Sequence, residues 1–195
     1  MIAVRGAGSA IARALATLTS DKIHKVPRGE TNVEAERHLF CQGLLRPKPL
    51  TAQTAAEVAE SWEVNFAMVA RQCDAIFEKN DRARVCVIGS ESGFAGSFDG
   101  AYALAKAAVH RYVETKRLRS RHQQLICIAP GIIEDAGMTT RRSDRDHLAR
   151  RAMAHPKLRF VTAHEVATLV NHVLYVDAGY LSGVVIRMNG GEHIR

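Results

Sequence analysis

Residues 85–112 read VCVIGSESGFAGSFDGAYALAKAAVHRY, and the fold is decided there. Val85 to Ile88 is a short apolar run that closes on Gly89 and a hydroxyl, Ser90, the pattern of a strand buried on both faces and ending in a turn. Past Gly93 a helical pattern begins with Tyr102-Ala-Leu-Ala-Lys106. Four residues along a helix bring Tyr102 and Lys106 to one face, one turn apart. A free phenol, with a pKa near 10, is a poor acid or base at neutral pH, but an adjacent ammonium favours its ionised form. Ser90 at the strand end is placed to donate a hydrogen bond to a carbonyl. A lone Tyr–Lys pair of this spacing reads more simply as a surface helix pair, so its meaning depends on what surrounds it.

Working outward, short apolar runs predict strands at Met1 to Val4, Lys22 to Val26, His38 to Cys41, Arg84 to Ile88, Leu125 to Ala129 and Val184 to Met188. Helical patterns lie between them at Ser9 to Leu18, Ala55 to Glu78, Tyr102 to Arg119, Arg145 to Ala154 and His164 to Val176, and Thr162 with Glu165 makes a capping box for the last. Strands alternating with helices imply an α/β, doubly wound parallel sheet, whose ligands bind beyond the carboxyl ends of the strands. At 195 residues the chain reads as one domain, residues 1–195.

Composition narrows the function classes. No apolar run is long enough to span a membrane, and MIAVRGAGSA has no leader pattern, so a cytoplasmic protein is expected. Cys41, Cys73, Cys86 and Cys127 are dispersed, without the spacing of a zinc site, and read as reduced thiols. The net charge of +7 gathers at Arg111 to Arg121 and Arg141 to Arg151. Neither cluster interleaves aromatics, so both read as solvated helix faces rather than as a nucleic-acid site.

The first strand runs into Gly6-Ala7-Gly8-Ser9-Ala10-Ile11, where a glycine turn would bring backbone N–H groups to a pyrophosphate at a helix N-terminus. Alone, that turn reads equally well as structural. After the second strand comes Arg28, where a dinucleotide fold meets the adenosine ribose. An arginine there, with Lys25 and Arg5 as candidate helpers, accepts a 2′-phosphate and favours NADP over NAD.

Taken together, these features resemble the short-chain dehydrogenase/reductase family. The run from Val85 to Tyr112 is similar to the family's serine-ending strand and YxxxK helix; Glu63-Val64-Asn65-Phe66 resembles its helical asparagine; Ile128-Ala129-Pro130-Gly131-Ile132-Ile133 resembles the proline-glycine turn beside the nicotinamide; and Tyr180 to Gly191 resembles its last strand and terminal glycines. The resemblance implies hydride transfer between a nicotinamide and a carbonyl or alcohol substrate. It implies Tyr102 as proton donor, Ser90 as partner to the same oxygen, Lys106 on the nicotinamide ribose, where it lowers the Tyr102 pKa, and Asn65 in support of a proton-relay water. It also implies a cofactor site of Gly6, Gly8, Ser9, Ile11, Arg28, Gly43, Tyr102, Lys106, Pro130, Gly131 and Ile133. The segment from Ile133 to His155 would be the substrate lid, its arginines suggesting an anionic substrate. A homodimer or homotetramer is expected, built on the helices from Ala55 and Tyr102 through Ala67, Val69, Ala70, Ala107, Ala108 and Val109.

The N-terminal third departs from the family pattern. Ala10 and Ala12 stand at two glycine positions, and Phe40-Cys41-Gln42-Gly43 replaces Asn-Asn-Ala-Gly. Only about a dozen residues separate Arg28 from Gly43, which predicts a sheet trimmed by one edge strand and its helices. These departures support an alternative reading as a catalytically degenerate relative with a binding or regulatory role.

Overall fold

The computed structural model describes residues 1–30, 34–175 and 179–192. Six strands form one parallel sheet: β1 (Ile2–Arg5), β2 (Ile23–Val26), β3 (Arg37–Phe40), β4 (Arg84–Ile88), β5 (Gln124–Pro130) and β6 (Val184–Met188), in the order β2-β1-β3-β4-β5-β6. The strand order reverses between β1 and β3, which creates a crevice at their carboxyl ends where such folds bind ligands.

Each face has its own cover. Helices α1 (Ala10–Leu18) and α8 (Ala163–Tyr175) pack on one face, closing a core that includes Ile2, Val4, Leu15, Leu39, Ile126 and Val170. The other face takes α2 (Ala55–Trp62), α3 (Met68–Lys79) and α5 (Gly100–Thr115) over Val85, Val87, Leu125 and Cys127. The remaining helices are two single turns, α4 (Ser92–Ala95) and α6 (Gly137–Thr140), and the ten-residue α7 (Arg145–Ala154).

Polar caps set where the helices begin. Thr54 and Glu57 form a reciprocal capping box on α2, and Thr162 with Glu165 forms the expected one at α8. Asp99 caps α5 by accepting from the Tyr102 N–H at 3.0 Å. Its two oxygens also accept from Gln53 Nε2 and the Arg46 N–H, so the start of the YxxxK helix is tied to the loop after β3. The helix ends at Thr115 rather than Arg119, because Lys116 turns extended. The basic stretch that follows finds acidic partners, Lys116 on Asp74 and Arg119 on Asp81.

The trimmed edge is present. Among the described residues no strand lies beyond β2, and the ten residues 27–36 carry the chain from β2 across β1 to β3. That loop leaves a small apolar contact of Ala3, Val26 and Ala35 where a helix layer would otherwise sit. Gln72 of α3 donates to the Glu30 carbonyl, and Asn80 donates to the Ala35 carbonyl, pinning the loop to the sheet.

Candidate active site and cofactor cleft

The serine turn is built from the sheet outward. Beyond β4 the backbone keeps following β5, with the Gly89 N–H on the Ile128 carbonyl and the Glu91 N–H on the Pro130 carbonyl, both at 2.8 Å. Ser90 is held between these two bonds, and its Oγ accepts from the Ser92 N–H at 3.1 Å. Tyr102 and Lys106 face it from α5, both buried. Ser90 lies beside the Tyr102 phenol and favours its ionised form.

The electrostatics differ from the expectation in one respect. Burial pushes the Tyr102 phenol above its ordinary value, the neighbouring Ser90 pulling the other way. Lys106 does not depress it: the ammonium turns to donate to the Ile88 carbonyl at 2.8 Å and lies 5.7 Å from the tyrosine ring centre. Burial lowers Lys106 itself to about 8. The sign suits a proton donor, since the phenol keeps its proton at neutral pH.

Asn65 falls within a widened π turn, Glu63–Ala67, that joins α2 to α3. Such turns are rare and recur at functional sites. Here the amide is buried and fully used: Nδ2 donates to the Leu44 carbonyl and Ser61 Oγ, and Oδ1 accepts from the Leu44 N–H. Its side chain therefore fixes the loop after β3, which carries Gly43.

Most of the residues expected to hold the cofactor lie at the carboxyl ends of the strands. Gly6 adopts φ +79°, and a Cβ there would sit 2.5 Å from the Gln42 nitrogen, so only glycine fits. Gly8 has open space above it, and Ser9 caps α1 by accepting from the Ala12 N–H at 3.1 Å. The first N–H groups of α1 thus remain available to an anion. Ser9 Oγ also donates to Cys41 Sγ, which stands where the family has asparagine. Gln42 Oε1 is buried with no partner among the described residues, an acceptor facing the same crevice region. These observations fit a dinucleotide: a glycine turn, a free helix end, and an orphaned acceptor at the next strand.

Ile11 is buried against α8 rather than exposed to a ligand, so it supports the turn from behind. Arg28 and Lys25 are exposed at the end of β2. Arg5 cannot join them: it is 3% exposed, on the opposite side of β1, stacked 4.6 Å over Phe40 and 3.5 Å from His38. Pro130 ends β5, Gly131 donates to the Met188 carbonyl, and Ile133 bridges to Val161, so the proline-glycine turn is locked to β6 and to the start of α8. The segment from Ile133 to His155 approaches Gly43 through Met138, whose terminal methyl would lie 2.9 Å from a Cβ there. Arg142 pairs with Asp144, and the exposed Arg141 and Arg145 flank the end of α6, where Arg145 donates to the Thr140 carbonyl. A cleft of about 300 Å³ also opens between the ends of β5 and β6, lined by Gly131, His155, Lys157 and Asn189, and Tyr102 is not in its walls.

Of the residues expected on the helix faces, Val69 and Val109 lie in the chain's own core, because they point at β4 and β5. The exposed apolar residues there are Trp62, Phe98 and Leu104 instead. Four further residues were not singled out from sequence: Asp99, Glu91 and Arg187, which form an ion pair, and His110, which follows Lys106 by one more helical turn.

The comparisons place this architecture. The family described as Enoyl-(Acyl carrier protein) reductase matches residues 39–193. The 3-oxoacyl-(acyl-carrier-protein) reductases FabG of Vibrio cholerae and of Escherichia coli are 28% and 30% identical over 158 residues, 78% of this chain and 64% of theirs. Among solved structures, a short chain dehydrogenase family protein of Francisella tularensis superposes with a TM-score of 0.83 at 17% identity, covering 98% of this chain and 97% of that one. A short-chain dehydrogenase/reductase of Brucella melitensis gives 0.84 at 16% identity, covering 100% and 96%. The chain belongs to the short-chain dehydrogenase/reductase family, and it spans about 64% of the length of the FabG relatives it matches.

Proposed function

We propose that this chain is an NADP-dependent carbonyl reductase, acting on a 3-oxoacyl or similar carbonyl substrate. The observation that carries the reading is the placement of Ser90 beside Tyr102, with Lys106 buried one turn along, at the carboxyl end of β4. The names of its FabG relatives support the substrate class. A structure of ElxO with NADPH bound shares the fold, with a TM-score of 0.79 at 14% identity.

NADPH would rest on Gly6, Gly8 and Ser9 with its 2′-phosphate near Arg28, and would supply a hydride to the carbonyl carbon. Tyr102 gives its proton to the forming alkoxide while Ser90 donates to the same oxygen. Lys106, lowered by burial to about 8, would hold the ribose side of the site. Pro130, Gly131 and Ile133 shape the nicotinamide wall, and Asn65 fixes the loop bearing Gly43. The exposed Trp62, Phe98 and Leu104 on and beside α2 and α5 support a homodimer or homotetramer through those helices. The four free thiols fit a reducing, cytoplasmic setting.

The test is a titration with NADPH and NADH followed by turnover of a short 3-oxoacyl thioester. NADPH should bind several-fold more tightly than NADH. Tyr102→Phe should lower turnover by about two orders of magnitude with NADPH affinity nearly intact. Wild-type turnover in that variant would remove Tyr102 as the acid.

A further inference from the structure

Tyr102, Lys106 and His110 occupy successive turns of one face of α5, and all three are buried. His110 does not reach the crevice. It lies behind the serine turn, with Nε2 accepting from the Ser90 N–H at 3.4 Å. The turn has no room for side chains on that side: a Cβ at Gly89 would lie 2.6 Å from His110 Nε2, and one at Gly93 would lie 2.5 Å from His110 Cε1. The imidazole also stacks on Phe94, ring centres 4.4 Å apart, and the Arg187 guanidinium covers the same phenyl ring at 4.5 Å. Arg187 in turn pairs with Glu91, which is buried. Residues 89–94 are therefore clamped from β6 through Arg187 and from α5 through His110.

We propose that His110 is a positioning residue for carbonyl reduction: as a neutral Nδ1–H tautomer it accepts the Ser90 main-chain N–H and so fixes the hydroxyl that meets the substrate oxygen. The inference deepens the reading of Ser90 and Tyr102 given above and rests on it. Only a bare Nε2 can accept, so both the other tautomer and the imidazolium would present a hydrogen to a hydrogen and release the turn. The surroundings hold the neutral form. Burial is the largest influence; Lys106 on the same helix and Arg187 from β6 oppose a second positive charge, and Glu91 favours it. Cys127 of β5 also lies against the ring's neighbour Gly89. Together these lower His110 to about 4. The anchor should persist from neutral pH down to about pH 5, where a histidine of ordinary pKa would be charged.

Two measurements decide it. In wild-type protein with ¹⁵N-labelled histidine, the His110 resonances at pH 7 should show a protonated Nδ1 and a bare Nε2, unchanged to about pH 5. The opposite tautomer, or an imidazolium at pH 6, overturns the proposal without reference to activity. In turnover, His110→Leu keeps apolar bulk but removes the acceptor and should lower kcat about tenfold, with NADPH affinity within twofold of wild type. His110→Gln carries an amide oxygen able to accept the same N–H and should recover most of that loss. Equal damage in both variants, or none in His110→Leu, means the ring only packs and sinks the idea. If His110→Leu does not fold, the tautomer measurement stands by itself. Tyr102→Phe runs alongside: full activity there removes the assigned reaction, whereas loss there with a silent His110→Leu removes only the anchor.

Discussion

The sheet is completed in two different ways on either side of β3. β4 and β5 are covered on both faces by helices and their buried residues are almost all apolar, while β6 closes that edge with half-buried residues. At β1 and β2, among the described residues, one face has no helix layer, and Ala35 packs there against Ala3 and Val26. The loop carrying Ala35 cannot bury much apolar area. The chain fills the space with long polar side chains instead: Arg5 lies flat on Phe40 beside His38, whose Nε2 donates to the Ala35 carbonyl, 2.8 Å away. The lesson is that a removed helix is replaced by side-chain bulk at the cost of burying polar groups. The proposed reactive residues all sit on the completed side, and the cofactor crevice straddles the boundary.

The largest expected effect lies on that boundary. Gly6→Ala places a methyl 2.5 Å from backbone at a positive φ, and should cost about 3 kcal/mol of stability in urea unfolding. Gly8→Ala meets nothing within 4 Å and should leave stability within about 0.5 kcal/mol. It should still weaken NADPH binding about tenfold, because the added methyl occupies the approach to the pyrophosphate. Equal stability losses in the two variants would show that the turn is purely structural.

A matched deletion then measures the two covers. Val85 is 1% exposed in the helix-covered core, and Val26 is 7% exposed and, among the described residues, clusters with Ala3 and Ala35. Val85→Ala should cost about 2–3 kcal/mol, since both lost methyls leave a cavity that rigid neighbours cannot close. Val26→Ala should cost about 1 kcal/mol, because the loop can settle into the space. A similar cost at both positions would mean the loop packs as tightly as a helix layer.

What could be read from sequence follows the same division. The strands and helices of the completed side were legible because their periodicity is set by burial on both faces, and Ser90, Tyr102 and Lys106 fall at fixed offsets from those elements. The short span from Arg28 to Gly43 also announced the missing edge strand. The direction in which Arg5 points was not legible. Lys25 and Arg28 lie in exposed loop or strand-end positions, but Arg5 is the last residue of β1, and the pleat alone decides which face its side chain takes. His110 was equally hidden, because its meaning depends on Gly89 and Gly93 being small enough for its ring to reach Ser90. The direction of the Tyr102 shift was missed for a related reason: the spacing gave Lys106 as a neighbour, while the carbonyl of Ile88 that captures its ammonium belongs to another strand.

The smallest effect is the sharpest statement about the trimmed side. Arg5 is buried, and among the described residues its Nε and Nη2 have no hydrogen-bond partner. Burial lowers its pKa, which marks an environment unfavourable to the charge; Cys73 and Glu30 offset this only in part. His38 suffers from the same neighbour: burial first, then Arg5, lowers it to about 4. Replacing a buried charge by an apolar side chain of similar length is often neutral or stabilising, because the desolvation of the ion is removed along with its contacts. Arg5→Met keeps the bulk over Phe40 and removes the unpaired donors. Its stability in urea should rise by about 1 kcal/mol, with the His38 pKa moving upward as the nearby charge disappears. A loss of 2 kcal/mol or more would show that the guanidinium holds the loop in place, and the thin cover would then be a polar scaffold rather than a filled gap.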